Sequence, residues 1–233
     1  MTNTISEAIC CSEGPRRFLA DYEAVVRPIV HRSNQAYWAF SCTGEPKHQD
    51  TIQEMEEAFS DLHASERVHA EIARWLDQPP VDPLVHRQLQ LLFREYRRSQ
   101  APETLRKRII KLSLKVEETV SLFRPEFRGQ RIEANQLDRM LLKEEDEEIR
   151  RAAWTATRQV GARVLNPTRE LVALRNELAQ HLGFSDYFAL ALDDEEMDVS
   201  FSSSILEELL VASEEPWNDT KRALDQELSL LRG

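Results

Sequence analysis

The chain has 233 residues, enough for one large or two small domains that bury a continuous apolar core without disulfide or metal staples. Charged residues make up 30% and hydrophobic residues 41%, with six glycines among long periodic apolar patterns, which excludes a disordered chain and predicts an all-α fold. The formal net charge of −11 opposes global attraction to nucleic acid or anionic membrane, so any such contact has to be local.

Residues 1–14, "MTNTISEAICCSEG", read as a flexible lead-in with neither the basic start nor the apolar run of a secretory signal, and residues 15–233 as the helical region. Its first helix carries Phe18, Tyr22, Val25, Ile29, Ala36 and Phe40 at helical spacing, with a kink expected at Pro28. "SCTGEPKHQD" reads as a loop, and Asp50 as the cap of a second long helix with Ile52, Met55, Phe59, Leu62, Ile72 and Leu76 inward. "DQPPVDP" ends that helix. Asp82 and Pro83 form an N-cap and first-turn proline for a helix through Val85, Leu89, Leu92 and Tyr96. Pro102 opens the next helix in the same way, with Leu105, Ile109, Leu112, Val116, Val120 and Phe123 inward until the break at "RPEFRGQ".

A short segment around Gln136 to Leu142 leads into "KEEDEEIRRAAWTATRQVGARVL", whose acids crowd the N-terminus and whose arginines follow, as the helix dipole prefers. Asn166 and Pro167 either kink this helix or restart it. Leu171, Leu174, Leu178 and Leu182 then form one apolar face, with Arg175, Glu177 and Gln180 pointing elsewhere. Gly183 sits where a left-handed C-cap is needed, and Phe184 is placed to fold back onto Leu178 or Ala179. Ser185 is the expected acceptor for an amide of the next helix, and Asp186 puts negative charge at that helix's positive end. After "DDEEMD", read as a solvated linker, Ser204 and Glu207 have capping-box spacing ahead of Leu206, Leu210, Trp217, Leu224, Leu228 and Leu231. Pro216 is expected to bend or interrupt this last helix. Its apolar stripe runs nearly to Gly233, which fits either a C-cap or a chain that continues.

Few residue patterns suggest chemistry. The histidines are His31, His48, His63, His69, His86 and His181, and none is followed by glutamate, so the His-Glu-x-x-His helix of a zinc peptidase is not present in the sequence. The reversed order also fails, because "HASER" places Arg67 where the second histidine should stand. Glu66 and His69 match half of a di-iron bundle motif, but the second Glu-x-x-His, Glu45 to His48, falls in the expected loop; a flanking hydrogen-bonded pair is the simpler reading. From Arg94 to Arg131 eleven Lys or Arg stand against five Glu, a pattern suited to an acidic partner or nucleic acid. Lys107, Lys111 and Lys115 lack interleaved aromatics, so a solvated face balancing neighbouring acids is preferred. "DDEEMD", Asp193 to Asp198, lacks the alternating ligands and glycine of a calcium loop. Cys10, Cys11 and Cys42 have no CxxC spacing and suit a reducing compartment, hence a soluble cytoplasmic protein. No residue is assigned a catalytic, cofactor-binding or metal role.

"NPTRELVALRNELAQHLGFSDYFALAL", preceded by "RRAAWTATRQVGARV", resembles the N-terminal half of angiotensin-converting-enzyme-like peptidyl-dipeptidases and the related oligoendopeptidase F and thimet oligopeptidase group. The residues that carry the resemblance are Trp154, Arg175, Asn176, Glu177, Gly183, Phe184 and Tyr187, with Trp38 and Gly44 of "QAYWAFSCTGE" similar to that family's first long helix and turn. The resemblance implies a multi-helix lid and scaffold of a gluzincin-type oligopeptidase, a deep channel, one zinc ion and cleavage of short peptides. It places the zinc ligands in a downstream half, so zinc is expected only where that half is present and the 233 residues alone are expected to be inactive. The alternative is a standalone interaction module using its C-terminal apolar stripe for a partner or for self-association, with no nucleic acid and no membrane. A di-iron bundle is a third possibility.

Overall fold

The computed structural model describes residues 14–80 and 82–232, and among them the chain forms ten helices and one small hairpin. In chain order these are α1 (Pro15–Thr43), α2 (Pro46–Leu62), α3 (Glu66–Asp77), α4 (Pro83–Arg98), α5 (Glu103–Ser121), β1 (Glu126–Phe127), β2 (Gln130–Arg131), α6 (Ala134–Lys143), α7 (Glu147–Thr157), α8 (Gln159–His181), α9 (Tyr187–Asp194) and α10 (Val199–Arg232). The all-α expectation holds. The expected lead-in falls, except for Gly14, outside the described residues, as do Cys10, Cys11 and Gly233.

α1 and α2 form an antiparallel pair, since Tyr22 meets His63 near one end while Arg32 and Ser33 meet Glu54 and Glu56 further along. Only Gly44 and Glu45 separate the two helices. Gly44 has φ +68° and ends α1 in the left-handed region, its amide donating to Phe40 O at 2.7 Å. The expected loop and Asp50 cap are therefore corrected: Cys42 and Thr43 finish α1, and Pro46 fits the first turn of α2, where its missing N–H costs nothing. Pro28 lies within a continuous α1.

The second long helix is also divided. Ser65 accepts from the Val68 amide at 3.4 Å and starts α3, so Ile72 belongs to a different helix from Ile52. α3 and α4 then close on α1 around Phe18, Leu62, Ile72, Leu89 and Tyr96, all buried. Asp82 caps α4 as expected, its Oδ1 taking the Leu84 amide at 2.9 Å with Pro83 behind it. Pro102 stands at the N-cap of α5, one position before its expected place. On α5, Leu105 and Leu114 are buried, whereas Val120, expected inside, is about half exposed at 51%.

"RPEFRGQ" is more than a break. Glu126 pairs with Arg131 and Phe127 with Gln130 across Arg128 and Gly129, both at positive φ as a two-residue hairpin of the primed type requires. α6 and α7 pack on this hairpin through Leu137, Ala153 and Ala156. The segment expected as one helix from the acidic run onward divides at Arg158, and α8 passes through Pro167 without interruption. α8 runs antiparallel to α5: the end of α5 and the hairpin after it meet Gln159 and Arg163 at the start of α8, while Ala101 and Leu105 pack near the end of α8. Ala101, Leu105, Leu174, Leu178 and Leu190 fill the seam.

α10 starts at Val199 because Asp198 Oδ1 accepts the Phe201 amide at 2.7 Å, which displaces the expected Ser204 cap; Ser204 instead bonds Glu208 from inside the helix. Pro216 does not interrupt it. Residues 203–231 are all exposed, including Leu206, Leu210, Trp217 and Leu231. No helix among the described residues is long and apolar enough to cross a membrane.

Candidate functional site

The α8–α9 corner is held by several interactions at once. Gly183 sits at φ +86°, and the Phe184 amide reaches back to Ala179 O at 2.9 Å, the closing bond of a left-handed helix cap. Phe184 packs with Leu178 and Ala179, as the sequence leads one to expect. The cap of α9 differs from expectation: Asp186 Oδ1, not Ser185, accepts the Ala189 amide at 2.9 Å, while Ser185 Oγ donates to Asp186 Oδ2. Asn176 adds a cross-helix tie, its Oδ1 accepting the Tyr187 amide at 3.0 Å. Arg175 lies over the Tyr187 ring, 5.2 Å from the centroid and within cation–π reach, and meets Ser113 Oγ on α5 at 3.4 Å. A Cβ added at Gly183 meets nothing within 4 Å, so Gly183→Ala tests backbone strain alone. It is expected to cost about 1 kcal/mol in urea unfolding with α8 and α9 still helical.

The corner aims the C-terminal end of α9 at a row of arginines on α4. Arg97 Nη2 meets Asp193 at 2.5 Å and Asp194 at 2.8 Å, with its guanidinium 5.0 Å from the Phe184 centroid. Arg98 donates to the Tyr187 hydroxyl at 2.9 Å. Arg87 grips both Glu196 oxygens at 2.5 Å, and Arg94 approaches the same carboxylate at 3.0 Å. Glu196 stands at φ +60°, an uncommon conformation for a side-chain-bearing residue and the position where glycine usually ends a helix. Its ion pairs offset that strain. "DDEEMD" is thus corrected from solvated linker to one half of an ion-pair latch joining α4 to α9.

A model described as angiotensin-converting enzyme matches residues 11–210, most of the chain. The chain belongs to the angiotensin-converting enzyme family. No curated protein and no solved structure matches it. Within this family member, the residues that carried the sequence resemblance fall into two groups. Arg175, Asn176, Gly183, Phe184 and Tyr187 build the corner, whereas Trp38 and Trp154 are exposed and Glu177 faces solvent. Trp154 has Arg158 over its ring at 4.9 Å.

The candidate metal residues are engaged elsewhere. His63 is fully buried; in the neutral ring its Nδ1 donates to Phe59 O at 2.7 Å and its Nε2 accepts from the Tyr22 hydroxyl at 2.9 Å. Burial lowers its pKa to about 4, against a smaller upward pull from the Phe59 carbonyl. The Tyr22 hydroxyl is pushed up by the same burial and by Glu95. His69 stacks on Phe93 at 4.7 Å, and burial followed by the charge of Arg97 lowers its pKa. The expected pair with Glu66 is replaced by these contacts. Glu45 and His48, assigned to a loop from sequence, sit at the start of α2, 3.9 Å apart. Among the described residues no three His, Cys, Asp or Glu side chains converge on a point that could hold a metal, so the residues present do not fit the zinc that the family implies. Cys42 is free and exposed.

The basic segment meets its acids, with one surprise. Arg108 pairs with Glu170, Lys115 with Glu118 and Arg124 with Glu133. Arg106, however, is buried, donating to Ala101 O at 3.0 Å and to Ser60, with Asp61 3.5 Å away. The arginines of the latch were readable as a row, since positions 87, 94, 97 and 98 share one helical face. Their pairing with the acids at and just beyond the end of α9 was not.

Proposed function

We propose that this chain is the N-terminal lid-and-scaffold portion of a zinc-dependent oligopeptidase or peptidyl-dipeptidase that hydrolyses short peptides. The observation that carries the reading is a peptidase-family match over residues 11–210 in a sequence whose six histidines include no His-Glu-x-x-His. Zinc and the reacting groups then come from a catalytic half that docks on the exposed stripe of α10, and the 233 residues by themselves do not hydrolyse peptides. In this role the α4–α9 latch ties the helices nearest the N-terminus to the scaffold helices α5 and α8. The odd cysteine count suits the cytoplasm.

A second reading is favoured by α10 itself. Exposed Leu206, Leu210, Trp217, Leu224 and Leu228 on one long helix suit an interaction module that binds a partner or a second copy. Intact mass of the endogenous protein from its native source separates the two: a mass near 27.0 kDa supports the module, and a markedly larger one supports the peptidase. The 233-residue protein incubated with zinc and a fluorogenic peptide is expected to show no turnover. Chelator-sensitive turnover in that assay overturns the claim of inactivity.

A further inference from the structure

Two adjoining depressions run along the outer face of α5. One, of about 340 Å³, lies between α2 and α5 and is lined by Pro46, Gln49, Arg108, Lys111 and Leu112. The other, of about 500 Å³, lies between the end of α5, the hairpin and α8, and is lined by Leu122, Phe123, Arg124, Arg131 and Arg163. Lys115 and Glu118, ion-paired at 2.9 Å, line both, so the two adjoin along α5 as neighbouring parts of one groove.

Its walls carry six cations, Arg108, Lys111, Lys115, Arg124, Arg131 and Arg163, against four acids, Asp50, Glu118, Glu126 and Glu170, inside a protein of net charge −11. Three of the cations are already matched, by Glu170, Glu118 and Glu133. Lys111, Arg131 and Arg163 make no ion pair among the described residues and stand exposed along the groove. The floor between them is apolar, with Leu112, Leu122 and Phe123.

The walls are also fixed in advance. The Gln159 side chain accepts from the Glu126 amide at 2.9 Å and donates to the Glu126 carbonyl at 2.8 Å, binding the hairpin to the start of α8. On the other side Gln49 Nε2 donates to Leu114 O at 2.8 Å, tying α2 to α5. A ligand entering the groove orders no wall on arrival.

We propose that this groove binds an acidic peptide segment in extended form, with carboxylates meeting Lys111, Arg131 and Arg163 and apolar side chains settling on Leu112, Leu122 and Phe123. From Arg108 to Leu122 the helix covers roughly 20 Å, the reach of about six extended residues. A nucleic acid fits less well, because Phe123 is the one aromatic side chain lining the groove among the described residues, where successive bases need several rings to stack on. The inference stands apart from the peptidase reading, since it needs neither zinc nor a catalytic half.

The test is fluorescence anisotropy of the 233-residue protein with a labelled seven-residue peptide of alternating Glu and Leu. The same peptide with Gln in place of Glu and a single-stranded oligonucleotide of equal charge are the controls. The triple variant Lys111→Gln, Arg131→Gln, Arg163→Gln alters only exposed, unpaired side chains, and its circular dichroism and unfolding midpoint verify that it folds. The acidic peptide is expected to bind saturably, with affinity falling about tenfold for the triple variant and for the Gln peptide. Equal binding of the Gln peptide, unchanged binding by the triple variant, or tighter binding of the oligonucleotide overturns the proposal.

Discussion

Replacing Arg97 by alanine is expected to lower the free energy of unfolding by about 3 kcal/mol and to strip amide protection from α9 while α8 keeps it. The Arg97 and Asp194 side chains are only 20% and 14% exposed, so truncating the arginine leaves a largely desolvated carboxylate with only the more distant Arg98, at 3.8 Å. The same change removes the pair with Asp193 and the cation–π contact on Phe184. Arg87→Ala is the matched control. Arg87 and Glu196 are 47% and 36% exposed, and water takes over much of what their bidentate pair supplies. Its loss is expected to cost under about 1 kcal/mol and to vanish at high salt, whereas the Arg97 effect persists there. Urea unfolding with hydrogen exchange at two salt concentrations reads both outcomes. Equal costs for the two arginines would show that the latch is a surface feature without a desolvated centre.

Acidification is expected to destabilise the α1–α4 core through His63. In the unfolded chain this imidazole takes up a proton below its ordinary value of 6.5, while in the fold burial keeps it neutral down to about 4. Between those limits the unfolded chain binds more protons, so the contribution is fully present above pH 6.5 and is lost progressively as pH falls. From pH 7 to pH 5 the loss is about 2 kcal/mol. Glu56 and Glu95, whose pKa values burial raises, act with the opposite sign, their contribution disappearing as pH rises through their folded values. Comparison with His63→Gln isolates the histidine, because a glutamine amide can donate toward Phe59 and accept from Tyr22 yet does not titrate. The variant is expected to lose less stability over this range. A fall identical to that of the original protein would sink the assignment.

Arg97 and His63 also mark where sequence reasoning stops. The helices around Leu89, Tyr96 and Leu178 were legible because their burial follows a single helical period, and Asp82–Pro83 and Gly183 were legible because their chemistry suits one local geometry. The corner residues pointed to the right family. The break at Ser65 escaped notice, since no glycine or proline falls between Leu62 and Ile72 to mark it, and so did the hairpin at Arg128 and Gly129. Nothing local distinguishes Arg106, buried against Ala101 O and Ser60, from Arg108 two residues on, which reaches Glu170 at the surface.

By itself, then, the sequence determined the helical class, the caps at Asp82 and Gly183 and the form of the α8–α9 corner, all of which depend on interactions within a few residues. Only the tertiary structure decided which charges meet. The acids at and just beyond the end of α9 lie about a hundred residues from the arginines of α4, and a carboxylate run carries no mark of its partner until packing brings the two helices together. The same holds for His63, whose ring chemistry is set by Tyr22 on another helix, and for the groove along α5, whose three walls come from α2, the hairpin and α8.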